Sequence, residues 1–281
     1  MQYRLLAIDD SRSDGDMTFL VLFLVGLAVG VTTVLFGFGG GFVTVPIILL
    51  VDASRGGDAV RIAVATSALV MVVNAVIATV STRRSILDRL RGRQALFILL
   101  AVGGAAGAGA ALFVPDAVPR WGFVAYIGVT VVDLLLRPGF LPRRGTPQSA
   151  GNVAARGLPD ALGVPIGSIA SFLGVGGSVM TVPMMRRSGM EMSGATSLAN
   201  PLTIAIAAPA MVVAFAFGGD VIAGTGLVGT VDVASALALL AGAIPVIVLL
   251  RRRPPRIPEA VHSWAYLALL VVAATTVAVT G

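Results

Sequence analysis

The sequence predicts an all-α membrane protein of two inverted repeats, each with three transmembrane helices and one Gly-rich re-entrant hairpin. Three observations predict it: an apolar composition, a glycine motif that occurs twice, and an uneven placement of arginine. Of the 281 residues, 57% are hydrophobic and only 12% are charged, with a mean hydropathy of +0.95. A water-soluble domain carries roughly 25% charged residues, so lipid must cover much of this chain.

The motif Phe36-Gly37-Phe38-Gly39-Gly40-Gly41-Phe42-Val43-Thr44-Val45-Pro46 returns as Leu173-Gly174-Val175-Gly176-Gly177-Ser178-Val179-Met180-Thr181-Val182-Pro183. Non-helical backbone survives at membrane depth only where protein or a water-filled cavity surrounds it. Two such breaks in corresponding positions point to a central binding site in a transporter. Ala65-Thr66-Ser67 and Ala195-Thr196-Ser197 extend the repeat. The first half carries the longer loop, at 52–61.

The chain opens on a short acidic tail, residues 1–16, unlike the basic start of a signal peptide. Residues 17–281 then form one transmembrane domain: repeat 1 at 17–137, an Arg/Pro/Gly-rich linker at 138–157, and repeat 2 at 158–281. Six apolar runs, at 62–82, 95–113, 121–136, 194–217, 231–250 and 261–280, approach the roughly 20 residues that cross a bilayer. Trp121, Tyr126, Trp264 and Tyr266 lie towards helix ends, where amphipathic rings favour the headgroup level. Segments 18–51 and 159–186 hold the motifs.

Arginine decides how those two segments run. If both span the membrane, giving eight full spans in two four-helix repeats, the two faces carry 11 and 9 arginines. If both are hairpins that enter and leave on one face, the faces carry 15 and 5. Cytoplasmic loops are enriched in Lys and Arg, which favours hairpins and puts the Arg-rich loops in the cytoplasm. Three crossings per half then invert one repeat relative to the other.

The glycines allow positive φ, so backbone N–H groups can converge on a ligand. The helix that starts after each break offers free N–H groups and a positive dipole end to an anion. The candidate substrate-binding residues are Gly37, Gly39, Gly40, Gly41 and Thr44 in the first copy, and Gly174, Gly176, Gly177, Ser178 and Thr181 in the second. Thr66, Ser67, Thr196 and Ser197 can add hydroxyls, although such groups often bond back to their own helix. Asn74 and Asn200 are polar groups that lipid penalises, so they face the interior. Pro201 and Pro209 predict a kink in that helix. The run Gly103-Gly104-Ala105-Ala106-Gly107-Ala108-Gly109 has no paired copy and reads as packing surface.

Asp133 sits one turn before Arg137, as in a local ion pair. Asp160 is placed to cap the second hairpin, and Asp232 lies at a helix start. Cysteine is absent and His262 is the one histidine, so no cofactor, metal site or catalytic triad is expected. The net charge of +6 reads as membrane orientation, not nucleic-acid binding. An intramembrane hydrolase built on Ser178 and His262 lacks an orienting carboxylate.

At the doubled Gly-x-Gly-Gly-Gly…Pro element and the paired Ala-Thr-Ser, the chain resembles the sulfite exporter TauE/SafE family of anion permeases. Ser178 stands where that pattern carries glycine. The resemblance implies a secondary transporter in the cytoplasmic membrane that moves sulfite or an organosulfonate by alternating access. A channel-like pore for small anions and a non-transporting membrane subunit are the alternatives. The expected partners are a small anion and the bilayer, with protons or Na+ as coupling ion and self-association left open.

Overall fold

A computed structural model describes residues 2–51, 59–115, 117–137, 139–141, 158–217, 227–228 and 231–279. Most of the expected 52–61 loop and of the 138–157 linker lie outside the described residues. The chain is helical: α1 Gln2–Phe36, α2 Gly41–Val51, α3 Ala59–Val80, α4 Arg84–Leu87, α5 Gln94–Ala111, α6 Ala117–Leu136, α7 Gly163–Phe172, α8 Ser178–Arg187, α9 Met192–Phe217, α10 Val233–Arg252 and α11 Glu259–Val279. One short hairpin, β1 Leu227–Val228 with β2 Val231–Asp232, precedes α10.

Among the described residues, seven helices are long and apolar enough to cross a membrane. Six are the expected spans: α3, α5, α6, α9, α10 and α11. The seventh, Met17–Phe36, is the first arm of the first motif segment. The two motif segments therefore differ, a 20-residue apolar arm against the ten residues of α7. The backbone of 2–16 is helical and continuous with that arm, and no proline interrupts residues 2–36.

Glycines set the helix contacts. A Cβ on Gly26 would lie 2.2 Å from the Leu239 carbonyl oxygen, and one on Gly30 2.7 Å from that of Ala243. These pairs advance together, so α1 runs parallel to α10 at backbone contact. The same arrangement joins α5 to α7, where Cβ atoms on Gly103 and Gly107 would meet the carbonyl oxygens of Val164 and Ser168 at 2.3 and 2.1 Å. Small residues spaced by four let helix backbones approach where lipid gives no hydrophobic drive between helices. The Gly103–Gly107 run is packing surface, but it has a counterpart. Gly242 of α10 meets the Phe23 carbonyl oxygen at 2.2 Å on the same criterion. A lone glycine among alanines left no visible repeat in the sequence.

Side-chain contacts identify the two ends of the bundle. At one end, Arg186 at the close of α8 pairs with Glu259 at the start of α11 (2.9 Å), and Arg187 pairs with Asp133 of α6 (2.5 Å). Arg251 of α10 reaches Ser197 of α9 there, and Arg93 before α5 holds Asp160 and the Leu158 carbonyl before α7. At the other end, Arg120 of α6 meets the carbonyls of Val277 and Ala278 that close α11.

Three local expectations fare differently. Asp232 caps α10, accepting from the Ser235 amide at 3.0 Å and the Ser235 hydroxyl at 2.8 Å. Asp133 forms the expected pair with Arg137 at 3.0 Å. Asp160 caps nothing: a 3-10 turn, Asp160–Leu162, starts there without a side-chain cap, and the carboxylate is held by Arg93 at 2.6 Å. Tyr266 also departs from expectation. Trp121 and Trp264 are half-exposed, whereas Tyr266 is fully buried, because its face of α11 packs onto Phe36, Phe38 and Phe140.

Candidate anion site at the glycine loops

Both motif copies stop one helix at a left-handed glycine and start the next with the same hydrogen bonds. Gly37 (φ +73°) closes α1, its N–H bonding the Thr33 carbonyl at 3.1 Å. Gly174 (φ +68°) closes α7, with Gly174 N–H to Ser171 and Val175 N–H to Ala170. That pair of bonds around a left-handed glycine is the Schellman arrangement. The next helix begins at Gly40, whose carbonyl accepts from Val43 and Thr44, and at Gly177, whose carbonyl accepts from Met180 and Thr181.

The loops are neighbours, and each touches the other half of the chain. A Cβ on Gly37 would lie 2.5 Å from the Thr196 carbonyl oxygen of α9, and one on Gly174 3.3 Å from Val64 of α3. A Cβ on Gly39 would meet Thr203 at 3.1 Å, and one on Gly176 would meet Met71 at 3.1 Å and the Phe38 carbonyl oxygen at 3.5 Å. α2 then folds back along α3, with Gly41 against Met71 and Val45 beside Val64 at Gly174. α8 leaves the loops for the arginine end. The starts of α2 and α8, with first-turn N–H groups that lack intrahelical acceptors, therefore lie together in the interior.

Polar side chains at this meeting point are buried and unpaired. Both amide atoms of Asn74, the hydroxyls of Ser178, Thr181 and Thr203, and Oδ1 of Asn200 make no hydrogen bond within the protein. The Asn74 amide nitrogen would lie 2.9 Å from a Cβ on Gly40. Leaving such groups unsatisfied costs about 1–3 kcal/mol each, and native interiors rarely tolerate several together. The Asn74 amide nitrogen, the three hydroxyls and the helix starts make an uncharged donor set, whereas Asn200 donates to the Thr196 carbonyl at 3.1 Å and leaves only its acceptor oxygen unpaired.

The other candidates are occupied elsewhere. The Thr66 hydroxyl accepts from the Asp232 amide at 2.9 Å. Ser67 bonds its own helix at Val64, Thr196 and Ser197 bond Ser193, and Thr44 bonds Gly41. Thr203 and Met71 were not foreseen. The available signal was helical spacing, three residues from Asn200 and Asn74 respectively.

A cavity of about 600 Å³ opens at the arginine end, with Arg83, Arg89, Arg251 and Arg256 on its walls and Leu35, Thr196, Ser197 and His262 also lining it. His262 Nε2 donates to the Leu35 carbonyl. Phe36, Phe38, Phe140 and Tyr266 cluster beside the glycine loops, with Phe36 also against His262. A smaller, mainly apolar cavity of about 110 Å³ reaches Met71, Gly174 and Gly176.

Residues 22–277 match the family model described as sulfite exporter TauE/SafE. The chain belongs to the TauE/SafE family. No curated protein and no solved structure matches it. It is thus a multi-pass membrane protein of a transporter family, and the doubled glycine loop of this TauE/SafE chain sits at its centre.

Proposed function

We propose that the protein is a secondary transporter for a small oxyanion, sulfite or an organosulfonate, working by alternating access in the cytoplasmic membrane. The observation that carries this reading is the meeting of two helix starts with the unpaired donors of Asn74, Ser178, Thr181 and Thr203. Uncharged donors and helix dipoles bind an anion without a fixed counter-charge that would trap it. The substrate class follows the family's description as sulfite exporters.

In this reading the repeats, 17–137 and 158–281 about the 138–157 linker, are inverted, and each glycine segment is a re-entrant hairpin. The antiparallel course of the equivalent helices α6 and α11 supports the inversion, with Arg120 at the α6 start against Val277 and Ala278 at the α11 end. The reciprocal contacts of Gly37 with α9 and Gly174 with α3 support the two-fold relation. So do the matched pairs α1–α10 and α7–α5. Positive-inside placement sets the arginine end, and with it the large cavity, in the cytoplasm. The two hairpins would move against the spans that carry Thr66–Ser67 and Thr196–Ser197.

Purified protein in vesicles tests this with radiolabelled sulfite, taurine and sulfoacetate. Saturable uptake of at least one anion is expected, lost in Gly40→Leu and Gly177→Leu with membrane insertion retained. No uptake, or flux that never saturates, would overturn the carrier mechanism.

A further inference from the structure

Arg251 sits in the last turn of α10, where a cation suits the helix dipole. Its neighbours Arg252 and Arg253 are exposed. Arg251 instead turns inward to α9, where Nη1 donates to the Ser197 hydroxyl at 2.7 Å. Ser197 donates onward to the Ser193 carbonyl at 2.7 Å, so the hydroxyl is fixed as an acceptor. The remaining face of the guanidinium is unused: Nε and Nη2 are buried and make no hydrogen bond.

Those two nitrogens form a single edge with parallel N–H groups, the edge that takes two oxygens of one oxyanion. Among the described residues only Arg251 has both nitrogens of this edge buried and unbonded. Arg186 spends Nη2 on the Phe140 carbonyl, and Arg187 spends it on Asp133. The side chain of Arg251 already lines the large cavity with Arg83, Arg89 and Arg256. Two carboxylates also line it, Glu191 and Glu259, and Glu259 is committed to Arg186. The cavity wall is thus net positive.

We propose that Arg251 binds an oxyanion side-on within the arginine-lined cavity, as a second anion site separate from the glycine loops. Rotation of the guanidinium about its Ser197 contact presents the free edge to the cavity. Ser197 is a positioning residue here, and the bound group carries at least two terminal oxygens, as sulfite, sulfonates and sulfate do. The inference rests on the proposed anion transport for its place on the path, but not for binding itself.

Two readouts separate them: sulfite and sulfate binding to detergent-purified protein by calorimetry, and half-saturation of sulfite uptake in vesicles. Arg251→Met should weaken binding and raise half-saturation by about tenfold to a hundredfold, the worth of hydrogen bonds to a charged group. Arg251→Lys, with a point charge and no fork, should recover part of the loss, and Arg252→Met, at an exposed position, should leave affinity and half-saturation unchanged. Binding that depends on Arg251 without any uptake would uphold this site and sink the transport reading. Normal uptake with unchanged half-saturation in Arg251→Met would overturn the site alone. So would absence of sulfite and sulfate binding to the intact protein, or a fall in thermal stability with unaltered affinity.

Discussion

Phe38 and Tyr266 lie with ring centroids 5.1 Å apart, and the Tyr266 hydroxyl donates to the Ser178 carbonyl at 3.2 Å. One ring belongs to the first glycine loop, while the hydroxyl holds the first residue of the helix that follows the second. α11 therefore ties the two loops together on the side of the large cavity. The second copy offers only Leu173 and Val175 where the first has Phe36 and Phe38, so the aromatic cluster closes one side of the loops and not the other.

Removing that ring should loosen the barrier. Phe38→Ala is expected to cost about 3–5 kcal/mol, as for other buried aromatics, and to raise passive sulfite leak from loaded vesicles. Tyr266→Phe keeps the ring and loses one hydrogen bond, about 1 kcal/mol, with little added leak. Equal leak in both variants would remove the gating role of Phe38.

Two glycines on one helix give a sharper stability test. A Cβ on Gly107 would lie 2.1 Å from the Ser168 carbonyl oxygen, whereas one on Gly109 meets nothing within 4 Å. Gly107→Ala must push α7 away and should cost about 1–3 kcal/mol. Gly109→Ala should be neutral or stabilising by up to about 1 kcal/mol, since alanine is the better helix former. Thermal unfolding in detergent reads both, and similar melting temperatures would refute the α5–α7 contact.

Thr66 and Ser67 are adjacent, yet only one makes a long-range bond. Thr66→Val leaves the buried Asp232 amide without its acceptor and should cost about 1–3 kcal/mol. Ser67→Ala loses a bond to its own helix at Val64 and should cost under about 0.5 kcal/mol, because such back-bonding adds little. Half-saturation for sulfite should stay unchanged in Ser67→Ala. A several-fold rise there would return Ser67 to the site.

This pair also marks how far the sequence can be read. Six spans were legible because apolar length is a local property, and the breaks were legible because glycine alone tolerates their positive φ. Which hydroxyls are free was not. The Ala-Thr-Ser copies look alike, but Thr66 is used by a residue 166 positions away and Ser197 by Arg251. Burial of Tyr266 beside half-exposed Trp264 likewise depends on which face of α11 meets the loops. Arginines counted as loop charges for orientation proved to have unlike fates, and only contacts across the bundle tell them apart.

Arg186 and Arg187 illustrate this at adjacent positions. The Arg186 side chain is 1% exposed and pairs with Glu259, while also bonding the Met190 and Phe140 carbonyls. Arg187 and Asp133 keep 26% and 30% exposure, so water screens their attraction. Arg186→Met leaves the Met190 and Phe140 carbonyls without their donor and unpairs Glu259, which is 34% exposed and keeps the Met192 amide, and should cost about 1–3 kcal/mol. Arg187→Met should cost about 1 kcal/mol or less, falling further in high salt. Unfolding followed at low and high ionic strength distinguishes them. Equal losses at both positions would mean that the Glu259 pair does not fasten α8 to α11.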